Sequence, residues 1–255
     1  MIVATIYLKA SKAKEEEVNM KALYRNSINL MTILLSGLLV LAGSGPALAD
    51  DATEAKQLVE KARMSLEDFE TAKDMDAFRN LIKKAKGVFI APQVLKGAFI
   101  VGASGGSGVF LARDGKTQKW SGPAFYTIGE ASFGLQIGGT ASEVILLAMT
   151  DRGVTAFLSN NLKLGADVGV AVGPVGVGAA AATANLSADI LSFSRSKGLF
   201  GGVSVDGAVV AVRNALNEAF YGKKVDSTDI LIKHAVDNKP AAGLIHSVEK
   251  AAAPK

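Results

Sequence analysis

The sequence has no cysteine, and it has only two histidines among its 255 residues. Without cysteine, the chain forms no disulfide, thiolate nucleophile, cysteine zinc site or lipid-modified cysteine of the bacterial lipoprotein type. His234 and His246 are twelve positions apart and lack the H-E-x-x-H pattern, so they form no recognisable metal site. No motif marks a pair of carboxylates as acid and base. We therefore expect a protein without metal or cofactor, and not an enzyme.

The sequence also lacks a dense block of positive charge. Its 28 basic and 24 acidic residues are spread along the chain, whereas nucleic-acid binding usually needs a concentrated basic patch. Nucleic acid is therefore not an expected partner. Hydrophobic residues make up 49% of the chain, which is enough for a sizeable core.

An apolar segment near the N-terminus predicts export. The run from Ile28 to Ala42 follows two basic residues and is shorter than the roughly 20 residues that a spanning helix needs. Ala47 and Ala49 supply the small-residue cleavage pattern. We interpret residues 20–49 as a signal peptide cleaved between Ala49 and Asp50, with a retained membrane anchor as the alternative.

Residues 1–19 do not fit a signal peptide, because its short basic region begins only at Met20. We therefore interpret residues 1–19 as a leader that is wrongly included ahead of the true start. The remaining chain, residues 50–255, is predicted to form one domain in the periplasm or cell envelope, because no linker or fixed-period repeat divides it.

The pattern along residues 50–255 predicts an α+β fold. Apolar residues spaced three or four apart predict one or two amphipathic helices over residues 53–86. Residues 87–207 hold most of the 27 glycines and many short β-rich runs, which indicate a many-stranded, mostly antiparallel sheet, curved or partly closed like a barrel. Helical spacing returns at Val209, Val212, Leu216 and Phe220 and stops at Gly222, so helices are expected to flank the sheet at both ends.

Two glycine-containing motifs resemble phosphate loops only superficially. GASGGSG at residues 102–108 does not match G-x-G-x-x-G and is followed by a strand-like run, where a phosphate loop needs a helix. GKT at residues 115–117 lacks the glycine expected five positions earlier. We predict that both motifs are β-turns.

The segment SRSKGLFGGVSVDG, residues 194–207, combines two cations with an apolar pair. Arg195 and Lys197 precede Leu199 and Phe200, an arrangement that suits an anionic headgroup and its acyl boundary. The alternative is a β-hairpin in which the basic residues are solvated and the apolar pair belongs to the core.

A family resemblance covers roughly residues 81–222. SFSRSKGLFGGVSVDG closely resembles the signature segment of SYLF domains, also called the Ysc84 family. The stretches at residues 82–113 and 120–139, and LGADVGVAVGPVG at residues 164–176, resemble the same domain in the same order.

The resemblance implies a lipid-binding module that recognises phosphoinositides in eukaryotic relatives and binds actin filaments in some fungal ones. Basic residues of the N-terminal helical region carry the lipid contact in some members, which adds a second group of candidates to Arg195 and Lys197: Lys83, Lys84, Lys86 and Lys96. Where many relatives have a basic residue after GPVG, this chain has Val177, so the resemblance does not support an anionic contact at this position. We do not expect actin binding in an exported protein.

Two functions follow as hypotheses. The first is a non-catalytic lipid-binding module of the bacterial cell envelope, whose basic residues contact anionic, phosphoinositide-like headgroups of phospholipids at a membrane surface. The second is a structural or protein-interaction module that binds an envelope protein without any need for lipid.

Overall fold

The computed structural model describes residues 48–254, apart from 99–100, 134–137, 177–187, 197–198, 202–203 and 238. The predicted leader and most of the predicted signal peptide lie outside these residues, and the predicted cleavage site lies in the first turn of a helix that begins at Leu48. Among the described residues, no helix combines the length and apolarity that a membrane crossing requires.

The described residues form nine strands in one sheet. The strands are β1 (Gly87–Ala98), β2 (Val101–Arg113), β3 (Trp120–Phe133), β4 (Gly138–Ala148), β5 (Asn161–Lys163), β6 (Val170–Val172), β7 (Ile190–Ser196), β8 (Leu199–Gly201) and β9 (Val209–Val212). Their spatial order is β5-β9-β3-β2-β1-β4-β7-β6, and β8 also pairs with β7. Every pair between these strands is antiparallel except β6 with β7. The curled, partly closed sheet confirms the α+β prediction.

Helices lie before, within and after the strands. They are α1 (Leu48–Thr71), α2 (Asp76–Ile82), α3 (Asp151–Ala156), α4 (Asn214–Tyr221), α5 (Ser227–Leu231) and α6 (Ala242–Ala252), with a 3-10 turn at Lys239–Ala241 before α6. The two N-terminal helices and the left-handed Gly222 that ends α4 agree with the sequence prediction.

The sheet has a hydrophobic core on each face. Val88 and Ile90 of β1 pack with α1, α2, α4 and α6 in one cluster. Phe89 and Ala91, which alternate with them, join a second cluster with residues of α5 and the segment after α3. The central strands are therefore covered on both sides, which explains why they read as near-continuous apolar runs.

Helix α1 crosses the sheet with one apolar stripe facing it. Leu58, Ala62, Leu66 and Phe69 are all buried in the first cluster, at the spacing that places side chains on one face of a helix. This outcome supports the reading in which the stripe packs on the domain.

Two parts of the sequence prediction were wrong. The GASGGSG motif lies inside β2 and is not a turn: a Cβ at Gly108 would lie 2.5 Å from Phe89 Cζ, and one at Gly106 would lie 2.2 Å from the Gln93 carbonyl oxygen. These glycines allow β1 and β2 to pack closely. Val209 and Val212 form β9 and are not the first turn of a helix.

Candidate functional site

The four candidate lysines of the N-terminal half lie at two opposite ends of β1. Lys83, Lys84 and Lys86 come just before the strand begins at Gly87, whereas Lys96 lies near its other end. Ten residues of extended chain separate Lys86 from Lys96, a span of about 30 Å. The structure therefore does not bring Lys96 to the other three lysines, although it is close to them in sequence.

The first group lies where α2 meets the start of β1. Lys84 is exposed, and the Lys86 ammonium pairs with the Asp151 carboxylate at 2.7 Å. The end of β2 lies alongside: the Arg113 backbone N–H donates to the Lys86 carbonyl at 2.8 Å, and Arg113 Nη1 donates to the Lys83 carbonyl at 3.2 Å. Arg113 thus adds a fourth cation to this group.

The hairpin between β2 and β3 extends the same surface. The Asp114 carboxylate accepts hydrogen bonds from the backbone N–H groups of Lys116, at 2.8 Å, and Thr117, at 2.6 Å. These bonds lower the pKa of Asp114 to about 2 and fix the GKT turn, as predicted. Lys116 of this turn and Lys119, two residues after it, are exposed. We call the combined surface the basic end: Lys83, Lys84, Lys86, Arg113, Lys116 and Lys119.

Sequence reasoning missed Arg113, Lys116 and Lys119. They are 27 or more positions away from Lys86 in sequence, and only the antiparallel pairing of Gly87 with Ala112 brings them to it. The hairpin of β1 and β2 could have revealed these residues from the sequence, because an antiparallel strand that pairs with β1 ends beside the residue where β1 begins.

Arg195 is held by two carboxylates. Its guanidinium pairs with Asp68 of α1 at 2.6 Å and with Glu143 of β4, and it lies 5.6 Å from the centre of the Phe200 ring. Ser65 of α1 donates to Glu143 at 2.7 Å. The hydrogen bond to Glu143 raises the pKa of Arg195. Only 23% of the Arg195 side chain is exposed, so it links β7 to α1 and β4.

A cleft of about 540 Å³ opens beside this cluster, between α1 and the sheet. Lys61 and Met64 of α1 line one side, and Gln93 and Ala141 line the other. The neighbouring hollow continues from Lys61 and Gln93 to Leu95. Since Met64 and Leu95 are more than half exposed, the cleft has an apolar as well as a polar lining.

Beyond this cleft the four central strands extend past the two strands that pair with their outer edges. Pairing with β9 stops at Gly129 and pairing with β7 stops at Ser142. We call the remaining strand segments the glycine-rich end: residues 94–98 of β1, 101–106 of β2, 130–133 of β3 and 138–141 of β4. The Phe99-Ile100 link between β1 and β2 lies outside the described residues.

The two faces of the glycine-rich end differ in polarity. Leu95 pairs with Gly105 and Ala141, so the Leu95 and Ala141 side chains share the face that continues from the cleft. Lys96 points to the opposite face, which it shares with Ser104. Leu199 begins β8 at the same level of the sheet, opposite Ser196, and it is 77% exposed. Lys197 lies outside the described residues.

One contact resembles a catalytic triad. Ser121 Oγ lies 2.7 Å from His234 Nδ1, and His234 Nε2 lies 3.5 Å from Asp114 Oδ2. A nucleophile needs an open approach, whereas Ser121 is only 4% exposed. The contact therefore joins the segment after α5 to the β2–β3 hairpin. No three His, Asp or Glu side chains within the described ranges come together as a metal site would require.

These features define the class of protein: it is an α+β domain with a curled sheet, two cores and charged surfaces at the two ends of its central strands. Residues 129–251 match the protein family described as "Ysc84: Las17-binding protein actin regulator". These residues therefore carry a domain of the Ysc84 (SYLF) family, which confirms the resemblance seen in the sequence.

Relatives from animals and fungi are similar over the same domain. The human SH3 domain-containing YSC84-like protein 1 is 39% identical over 156 residues, which cover 60% of this chain and 44% of the human protein. Protein YSC84 of Saccharomyces cerevisiae is 35% identical over 59% of this chain and 33% of the yeast protein. LAS seventeen-binding protein 3 of the same yeast is 35% identical over 60% of this chain and 34% of its own length. The chain spans less than half of each of these relatives.

Proposed function

We propose that this chain is a non-catalytic lipid-binding protein whose basic end contacts anionic headgroups of phospholipids. The observation that carries the proposal is the basic end itself: six cations from the link between α2 and β1, the end of β2 and the β2–β3 hairpin lie at one end of the sheet, close to the carboxyl groups of Glu70, Asp114 and Asp151. Asp114 is engaged by its own turn and Asp151 by Lys86. The exposed lysines remain available to anionic groups.

The setting proposed for this activity is the bacterial cell envelope. Support comes from the signal-peptide pattern over residues 20–49. In that compartment the anionic lipids would be phosphatidylglycerol or cardiolipin, with phosphoinositides as chemically similar ligands in relatives. Charge and exposure of the lysines, and not a shaped pocket, support the proposal, so we expect a preference for anionic surfaces over any one headgroup.

Liposome co-sedimentation tests the proposal. Each basic residue near an anionic membrane contributes about 1 kcal/mol, so Lys84→Gln, Lys116→Gln and Lys119→Gln together should weaken binding by about 100-fold. The matched control replaces three lysines outside the basic end, Lys56→Gln, Lys163→Gln and Lys239→Gln. It changes the net charge equally and should bind like the original chain.

Salt gives a second test of the same proposal. Binding should fall steeply between 0.1 M and 1 M salt, where the screening length shrinks from about 10 Å to about 3 Å. Absence of binding to phosphatidylglycerol or cardiolipin vesicles at low salt would refute the proposed function, as would equal losses in the test and control variants.

A protein-interaction role is the second candidate, because the family description and the yeast relative's name specify protein partners. We do not transfer actin regulation to this chain, since export would separate it from actin. Capture of one envelope protein by the purified chain in detergent-washed, lipid-free extract, unaffected by the three glutamines of the basic end, would favour this candidate.

A further inference from the structure

The two groups of candidate lipid-binding residues lie too far apart for one flat membrane laid across either end of the sheet to contact both. The basic end and the glycine-rich end lie at opposite ends of β1, about 30 Å apart, and the helix layer and both cores lie between them. A planar surface laid across the end that holds Lys84 is therefore distant from Leu95. Two contacts at opposite ends imply two surfaces.

The glycine-rich end has its own features of a membrane contact. Leu95 and Leu199 are among the five most exposed large apolar side chains of the described residues, at 55% and 77%. Both lie at this end but on opposite faces of the sheet: Val94, Ser142, Ser196 and Leu199 form one row across β1, β4, β7 and β8, and Leu95 alternates with Val94. Three strand spacings separate the ends of this row, a distance of about 14 Å.

Charges around these leucines favour an anionic partner. Lys96 is exposed, and neither Lys96 nor Lys61 forms an ion pair within the part of the chain that the structure describes. Glu130 of β3 lies in the same row as Lys96, across Ser104, so the two lysines and this carboxylate leave one net positive charge. Asp68 and Glu143, the nearest carboxylates of the cleft, are held by Arg195. Exposed apolar side chains beside unpaired lysines suit the boundary between headgroups and acyl chains of an anionic bilayer.

We propose that a single chain bridges two anionic lipid surfaces, one bound at the basic end and the other at the glycine-rich end. This inference rests on the proposed function. It goes further because the second surface meets Leu95, Lys96 and Leu199, whereas the first meets only cations. A protein with one lipid-binding surface coats vesicles, and a protein with two on opposite ends also joins them.

The test measures vesicle binding and vesicle clustering side by side. Two populations of phosphatidylglycerol–phosphatidylcholine vesicles carry a donor and an acceptor dye, and energy transfer between them reports clustering. The original chain should both co-sediment with the vesicles and cluster them. The variant Leu95→Ser with Leu199→Ser should still co-sediment through the basic end, while its clustering falls to the level of vesicles without protein.

A matched control uses exposed apolar residues away from the glycine-rich end. Val172 and Ile232 are about half exposed, and Val172→Ser with Ile232→Ser should cluster vesicles like the original chain. Circular dichroism and thermal unfolding establish that each variant is folded before it is compared. Light scattering of the lipid-free chain measures its oligomeric state.

The outcomes separate the two proposals. No co-sedimentation with any anionic vesicle refutes the proposed function and the bridge together. Co-sedimentation without energy transfer, or full clustering by the leucine variant, overturns the bridge alone. If the original chain is a dimer and the leucine variant a monomer, a second copy covers the glycine-rich end and the bridge by one chain is wrong.

Discussion

Replacing Arg195 by alanine distinguishes a lipid contact from a structural ion pair. The guanidinium touches Asp68, Glu143 and the Phe200 ring. Ion pairs with partly exposed partners contribute about 0.2–1 kcal/mol each, and a partly exposed cation–aromatic contact contributes about 0.5–1 kcal/mol. With Glu143 left unpaired, we expect the free energy of unfolding to fall by about 2 kcal/mol. For a domain of this size the melting temperature should drop by about 4–8 °C.

Two measurements are needed for this prediction. Urea unfolding gives the stability loss, and co-sedimentation below the melting temperature should show that Arg195→Ala binds anionic vesicles as well as the original chain does. Arg63→Ala is the matched control, because Arg63 also lies between two carboxylates, Glu60 and Glu67, but these contacts are exposed and lie within α1 alone. Its cost should stay below about 1 kcal/mol.

A double-mutant cycle with Glu143→Gln assigns the effect to the pair itself. The coupling between the two substitutions should account for a clear part of the loss. The reasoning is refuted if Arg195→Ala leaves stability unchanged and abolishes vesicle binding. That result would restore Arg195 as the headgroup contact first inferred from the sequence.

Three further predictions concern the fold. Phe157 is fully buried and stacks on Phe110 with ring centres 4.0 Å apart. Phe157→Ala should therefore lower the free energy of unfolding, measured with urea, by about 3–5 kcal/mol. A loss below about 1 kcal/mol would contradict this packing. Gly108→Ala should lower the free energy of unfolding by about 1–3 kcal/mol, because the new Cβ would meet the Phe89 ring. Gly97→Ala should be close to neutral, because a Cβ there would have no atom within 4 Å. Equal shifts of the melting temperature for the two variants would disprove the steric argument. The pKa of the Asp114 carboxyl is lowered to about 2. The ionised carboxylate therefore stabilises the fold at pH values above the ordinary pKa near 4, and this stabilisation should disappear as the pH falls towards 2. An NMR titration of this carboxyl with a midpoint near 4 would show that the turn does not form hydrogen bonds to it.

The sequence predicted the class of fold well because its two periodicities were clear. The apolar stripe from Leu58 to Phe69 has helical spacing, and α1 follows it. The errors arose where local pattern and tertiary packing disagree. Val209 and Val212 are three positions apart, as on a helix, yet pairing with β3 makes them strand residues.

Glycine misled the prediction for a related reason. A glycine run usually marks a turn, but Gly106 and Gly108 are needed where β1 approaches β2 closely. No pattern within β2 reveals that requirement, because the atoms that a side chain would meet belong to β1. The same limit explains why the sequence alone could not place GASGGSG inside a strand.

The candidate site was predicted only in part. Residue types and the Lys83–Lys86 group were accessible from the sequence, whereas the separation of Lys96 from them depends on β1 being one extended strand. The carboxylates that hold Arg195 come from positions 68 and 143, far away in sequence. Whether a cation is free or paired is a tertiary property, and the sequence could not provide it.

The position of α1 has a practical consequence for anyone who isolates this domain. The family match begins at residue 129, inside β3, although α1, β1 and β2 all contribute buried side chains to the cores. A recombinant fragment cut at that boundary would lose the central strands and expose the apolar surface that they cover. The segment that matches the family description is thus smaller than the unit that folds, and a fragment for solution work should start no later than the first turn of α1.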